Sequence, residues 1–110
     1  MITLSTHVLD TAHGRPAAGM AITLADAAGE VVFHGVTNKD GRCPELAAPG
    51  PGCFRLDFAV AAYFRAQGIA LPDPPFLDVV SVAFGMSSEG GHYHVPLLVA
   101  PYAYSTYRGS

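Results

Sequence analysis

Charge is what this chain has least of. Only 14% of its 110 residues are Asp, Glu, Lys or Arg, while 50% are hydrophobic, and a chain of that size has too little polar surface to cover a lone monomer comfortably. Burial against further copies of itself is the expected remedy. The six basic residues are dispersed and the formal net charge is −3. That leaves no electrostatic footprint for a phosphate backbone and excludes nucleic acid as a partner. No apolar run approaches the ~20 residues of a membrane helix, and Met1-Ile2-Thr3 lacks the basic start and long apolar region of a secretory leader. The expectation is a cytoplasmic protein with no membrane partner. Cysteine is scarce as well: Cys43 and Cys53 have neither the density of a disulfide scaffold nor metal-ligand spacing, and both are expected to be thiols acting as small apolar residues. With no internal repeat or low-complexity segment, residues 1–110 form one domain, large enough to bury roughly 60–70% of its unfolded surface around a single core.

What the chain does have is alternation at period two, the mark of half-buried strands. Ile2, Leu4, Thr6 and Val8 share one face and Thr3, Ser5, His7 and Leu9 the other, so His7 points away from its strand's apolar side. Asp10 to Pro16 reads as a turn, with His13 and Arg15 as solvated loop residues. Met20–Leu24 and Glu30–Val36 predict a hairpin, followed by the turn Thr37-Asn38-Lys39-Asp40-Gly41-Arg42, which ends by presenting Arg42. Pro44, Pro49 and Pro51 keep residues 43–52 out of a central strand. Cys53–Phe58 is a strand, Val60–Gln67 a short helix stopped by Gly68, and Phe76–Phe84 a further strand after the rigid Pro72 to Pro75 connection. Seven or eight short strands and one small helix predict an all-β, two-sheet antiparallel sandwich.

The closing stretch from His92 to Ser110 is the least generic. Tyr93, Val95, Leu97 and Val99 make a natural core face, which leaves His92 and His94 on the outer face, about 7 Å apart along one strand. Ala100-Pro101 is a turn. In Tyr102–Gly109 either face could be the inner one on pattern alone.

Three segments resemble the transthyretin-like 5-hydroxyisourate hydrolases. They are Leu4-Ser5-Thr6-His7-Val8-Leu9-Asp10-Thr11 with Gly14-Arg15-Pro16-Ala17, then Thr37 to Arg42, then His92 to Leu98 running on to Tyr104-Ser105-Thr106-Tyr107-Arg108-Gly109-Ser110. The final Tyr107-Arg108-Gly109-Ser110 is the most specific piece, since transthyretin itself lacks it and the histidines. The resemblance implies a prealbumin-like sandwich of two four-stranded sheets, with the first and the last two strands in one sheet. It also implies a homotetramer whose subunits enclose a channel lined by that sheet's outer face, with active sites at subunit interfaces. The positions matching the family's catalytic residues are His7, Arg42, His94 and Tyr107. His92, Ser105, Arg108, Gly109 and Ser110 are the substrate-binding candidates, and the resemblance turns Ser105 and Tyr107 outward with the histidines.

The implied reaction is hydrolysis of a cyclic amide in a purine-derived substrate, part of urate degradation. It requires a base for water, donors for the developing oxyanion and a pocket for a flat polar ring. Histidine suits the first task near neutral pH, which assigns His7 and His94 to the water. Arg42 offers a planar fork of donors that lysine does not reproduce. Tyr107 is a candidate hydrogen-bond donor to the substrate. A serine nucleophile such as Ser105 would need an orienting carboxylate on this face, and the nearest, Asp10, reads as part of a turn. No cofactor is required, although His7, His92 and His94 could together supply three nitrogen ligands to zinc. The non-enzymatic alternative is a transthyretin-like small-ligand carrier, against which a channel lined by histidines and an arginine argues.

Overall fold

The computed structural model describes residues 1–110 and consists of eight strands and one helix. Its strands are β1 (Ile2–Asp10), β2 (Arg15–Pro16), β3 (Ala21–Asp26), β4 (Val31–Val36), β5 (Gly52–Ala59), β6 (Val79–Met86), β7 (Gly91–Ala100) and β8 (Ala103–Thr106). The helix α1 (Val60–Ala66) lies between β5 and β6. They assemble into two four-stranded sheets, ordered β2-β1-β7-β8 and β4-β3-β5-β6. Every pairing is antiparallel except that of β1 with β7, which is parallel. The predicted two-sheet antiparallel sandwich is present, with one parallel ladder whose strands are separated by most of the chain and need no hairpin to join them.

Alternation decides what each strand buries. Leu4 and Val8 of β1 and Tyr93, Val95, Leu97 and Val99 of β7 meet Ile22, Leu24, Leu56, Phe58 and Val80 from the other sheet in one apolar cluster. Helix α1 closes an end of it with Val60, Tyr63 and Phe64. Phe58, Phe64, Ile22, Leu24 and Leu56 have no exposed surface, and each such side chain contributes about 1.5–3 kcal/mol on burial. No buried side-chain nitrogen or oxygen lacks a hydrogen-bond partner.

Two boundaries differ from the sequence prediction. The strand expected from Phe76 begins at Val79, because the Asp78 carbonyl accepts the Ala61 N–H (3.0 Å) and so binds the entry segment to the helix. The predicted turn Asp10–Pro16 is tighter than expected: Leu9 and Asp10 pair with Pro16 and Arg15, making a short hairpin. The helix itself ends as predicted, Gly68 at φ +86° letting Ile69 N–H reach back to the Phe64 carbonyl (3.0 Å).

Candidate active site

The outward rows of β1 and β7 hold the candidate histidines. Their parallel register sets Thr3 beside His92, Ser5 beside His94 and His7 beside Pro96. The His92 and His94 rings stack nearly parallel, with centroids 6.3 Å apart and 13° between planes. Ser5 Oγ lies 2.7 Å from His94 Nδ1 and 3.0 Å from His92 Nε2, and Thr3 Oγ1 lies 2.6 Å from His92 Nδ1. Ser5 and Thr3 are polar contacts that the sequence reading missed.

Arg42 arrives from a turn locked by its own residues. Asn38 Oδ1 accepts the N–H groups of Asp40 (2.9 Å) and Arg42 (3.1 Å), and Asn38 N–H donates to the Arg42 carbonyl (2.8 Å). Gly41 sits at φ +74° against β1, where a Cβ would collide with the Val8 carbonyl, so only glycine lets the turn approach this closely. The turn is thereby clamped to β1, Val8 N–H donating to the Gly41 carbonyl (2.8 Å), and Arg42 forms an antiparallel bridge opposite His7. The guanidiniums of Arg15, Arg55, Arg65 and Arg108 are each hydrogen-bonded within the chain. That of Arg42 is not among them, and the residue is exposed, which leaves its fork of donors free for a ligand.

Electrostatics follow from this gathering. Burial first, and then the nearby charges of Arg42, His7 and His92, hold His94 below the ordinary imidazole value of 6.5. His94 is therefore neutral at pH 7, the form able to accept a proton. The covalent alternative loses its last support here. Asp10 closes β1 rather than lying in a turn, faces inward at 1% exposure, and accepts hydrogen bonds from Tyr63 OH (2.7 Å) and the His13 ring (2.6 Å). It orients neither His7 nor His94. His13 is an exposed turn residue, as expected, and its ring is also tied to that buried carboxylate.

The carboxy-terminal residues divide. The β7–β8 ladder runs from Ala100–Ala103 to Leu97–Thr106, stops where Pro96 has no N–H to give, and resumes in the same register at the His94–Gly109 bridge, Gly109 N–H donating to the His94 carbonyl (2.8 Å). Ser105 therefore pairs with Leu98 on the outward row. Gly109 packs on the His94 ring so closely that any side chain there would strike it. Arg108 falls on the inward row, with its guanidinium carbon 4.2 Å from the Tyr93 ring centroid and Nη2 donating to the His92 carbonyl (3.2 Å). Tyr107 is exposed and, with Thr106 and Arg108, borders a cavity of about 700 Å³ between the sheets at the β6–β8 edge. Ser110 is exposed at the end of the chain. The structure thus gathers His7, Arg42, His92, His94 and Gly109, while the Arg108 guanidinium lies on the inward row and reaches only the backbone carbonyl of His92. The histidines, moreover, form no group with metal-holding geometry. Both nitrogens of His92 are in contact with hydroxyls and His94 Nδ1 with Ser5.

A sandwich of this topology, with a free guanidinium among imidazoles on one outer face, is that of a defined class. Residues 4–109 match the HIUase/Transthyretin family, and the chain belongs to it. Within that family the chain is 52% identical to the 5-hydroxyisourate hydrolase of Ralstonia nicotianae, with 97% of each chain covered. The solved structure of Klebsiella pneumoniae 5-hydroxyisourate hydrolase is 34% identical over the full length of both chains, with a TM-score of 0.84. Sea bream transthyretin, solved in complex with thyroxine, is 31% identical over 96% of this chain and 93% of its own, with a TM-score of 0.85.

Proposed function

We propose that this protein hydrolyses 5-hydroxyisourate, opening its ring at a cyclic amide to give 2-oxo-4-hydroxy-4-carboxy-5-ureidoimidazoline in urate degradation. The identity to curated hydrolases over nearly the whole chain supports the activity. One geometric observation carries the mechanism: Arg42 bridged to His7 beside a neutral, half-buried His94. Water gives a proton to His94, assisted by His7, while its oxygen bonds to the ring carbonyl carbon. The Arg42 fork holds the oxyanion. Collapse of that intermediate breaks the C–N bond, the imidazolium returns the proton to the leaving nitrogen, and the carboxylic acid so formed releases its remaining proton to solvent to become the carboxylate. Tyr107, His92 and Ser105 are placed by this reading along the rim of the substrate site, with Arg108, Gly109 and Ser110 forming the tail that borders it. No cofactor enters. Turnover in protein freed of metal by a chelator is expected to equal that of untreated protein, and a loss restored by zinc would overturn this.

The same reading makes the enzyme a homotetramer whose β1–β7–β8 faces line a shared channel, with active sites at subunit interfaces. The exposed Val79 and Tyr104, on the edge strands β6 and β8, whose outer sides are unpaired, support an assembly through that side. A cytoplasmic setting belongs to the proposal too, and the two free thiols, one of them exposed, suit a reducing compartment. The test is direct: purified protein is mixed with freshly generated 5-hydroxyisourate and the decay of its ultraviolet absorbance is followed. Acceleration over buffer is expected. Its absence would leave the carrier reading standing.

A further inference from the structure

Nothing in the sequence pattern marks Ser5, yet its hydroxyl is the joint of the imidazole array. A hydroxyl has one proton, so an oxygen in contact with two ring nitrogens donates to one and accepts from the other. Ser5 Oγ has two such contacts, His94 Nδ1 at 2.7 Å and His92 Nε2 at 3.0 Å. If Ser5 donated to His94 Nδ1, the neutral ring would carry its proton on Nε2 and have no lone pair left for water. The opposite polarity leaves Nε2 open, and it is self-consistent along the whole row: His94 Nδ1–H to Ser5 Oγ, Ser5 O–H to His92 Nε2, His92 Nδ1–H to Thr3 Oγ1 at 2.6 Å.

Resting on the hydrolase reading above, we propose that Ser5 is a positioning residue. It fixes His94 as the Nδ1–H tautomer with Nε2 free for water, and it passes the resulting positive charge to His92. The transfer balances. When His94 Nε2 gains the proton of water, its Nδ1 proton moves to Ser5 Oγ as the hydroxyl proton of Ser5 moves to His92 Nε2. Two bonds to hydrogen break, two form, and Ser5 ends unchanged. The direction is set by surroundings: His94 is half-buried beside Arg42 and His7, whereas His92 is exposed to water, which solvates the charge better.

Ser5 is half-buried on the outward face of β1, so Ser5→Ala removes a hydroxyl without touching the core, and Ser5→Thr restores it. For Ser5→Ala, kcat is expected to fall ~10–100-fold, as for other groups that orient a functional histidine, with KM within about twofold of the unaltered enzyme. Ser5→Thr should recover most of the loss. Nitrogen-15 NMR of histidine-labelled protein should show His94 protonated at Nδ1 in the unaltered protein and a mixture of tautomers in Ser5→Ala. Unchanged kcat, equal impairment of both variants, or a His94 tautomer indifferent to the substitution would overturn the proposal. If the unaltered protein fails to consume 5-hydroxyisourate, the hydrolase reading falls instead, and the NMR comparison alone decides what Ser5 does to His94.

Discussion

A single guanidinium left without an internal partner, Arg42, carries the oxyanion in the proposed mechanism, and its value lies in shape rather than charge. Arg42→Lys keeps the cation but loses the two-pronged donor set, so kcat/KM for 5-hydroxyisourate decay should fall ~10²-fold, the scale of losing one oxyanion donor, while circular dichroism stays unchanged. Near-normal turnover would remove Arg42 from that role. His94 adds a pH dependence. Its folded-state pKa lies below 6.5 because of burial and the surrounding positive charge, so the basic form persists as pH falls through 6.5 and is lost only at the lower folded value. The acid limb of kcat/KM should therefore have its midpoint below 6.5, and a midpoint above it would contradict the assignment of His94 as base. At this scale His7, His92 and His94 were legible, since alternation alone turned them outward. Ser5 and Thr3 were not. They look like any solvent-facing strand residues until the parallel register, which joins Ser5 to His94 across 89 positions, sets them against the imidazoles.

Among the elements, α1 shows how a buried polar cluster holds the scaffold behind the site. Asp10, at the end of β1, accepts hydrogen bonds from Tyr63 of the helix and from His13 of the following turn, so one carboxylate joins three parts of the chain. Burial alone would raise its pKa, but the bonds from His13 and Tyr63 outweigh that and hold it below 3.8. Burial, and then the hydrogen bond to the Asp10 carboxylate and its charge, push Tyr63 up to about 12. A folded-state value below the unfolded one means that the unfolded chain binds the proton first. The contribution to stability is thus complete above 3.8 and disappears as pH falls through the lower folded value. Asp10→Ala leaves the Tyr63 hydroxyl and the His13 ring without their acceptor and should cost about 1–3 kcal/mol in urea unfolding at pH 7, with a flatter loss of stability in acid. An unfolding midpoint equal to that of the unaltered protein would show that the cluster is idle. Strands, helix and turns were largely readable because each obeys a local pattern, the helix stopping at Gly68 as its sequence says. Asp10 was misread as part of a turn because its partners lie on other elements, 53 residues away in the case of Tyr63. The start of β6 was misplaced for the same reason, Asp78 being committed to the helix and not to a strand neighbour.

At the scale of the whole molecule, the carboxy-terminal tail ties the proposed catalytic face to the open edge of the sandwich. Gly109 bridges His94 on the outward row and covers its ring, while Arg108 stacks on Tyr93 on the inward row beside the cavity at the β6–β8 edge. Sequence patterning could not separate the two: either face of the last strand was open, and the break at Pro96 that ends the regular ladder acts only once β8 is paired with β7. Deleting Arg108 to Ser110 leaves every core side chain and all eight strands in place, yet it strips the bridge from the His94 backbone and the cover from its ring. The shortened protein should sediment like the full chain, as the proposed homotetramer. Its kcat should fall by at least ~10-fold, since small displacements of a catalytic group carry losses of that order and more. A tetramer with undiminished turnover would show that the tail only closes the edge. A monomer with undiminished turnover would count further, against both the tail's grip on His94 and the sharing of active sites between subunits.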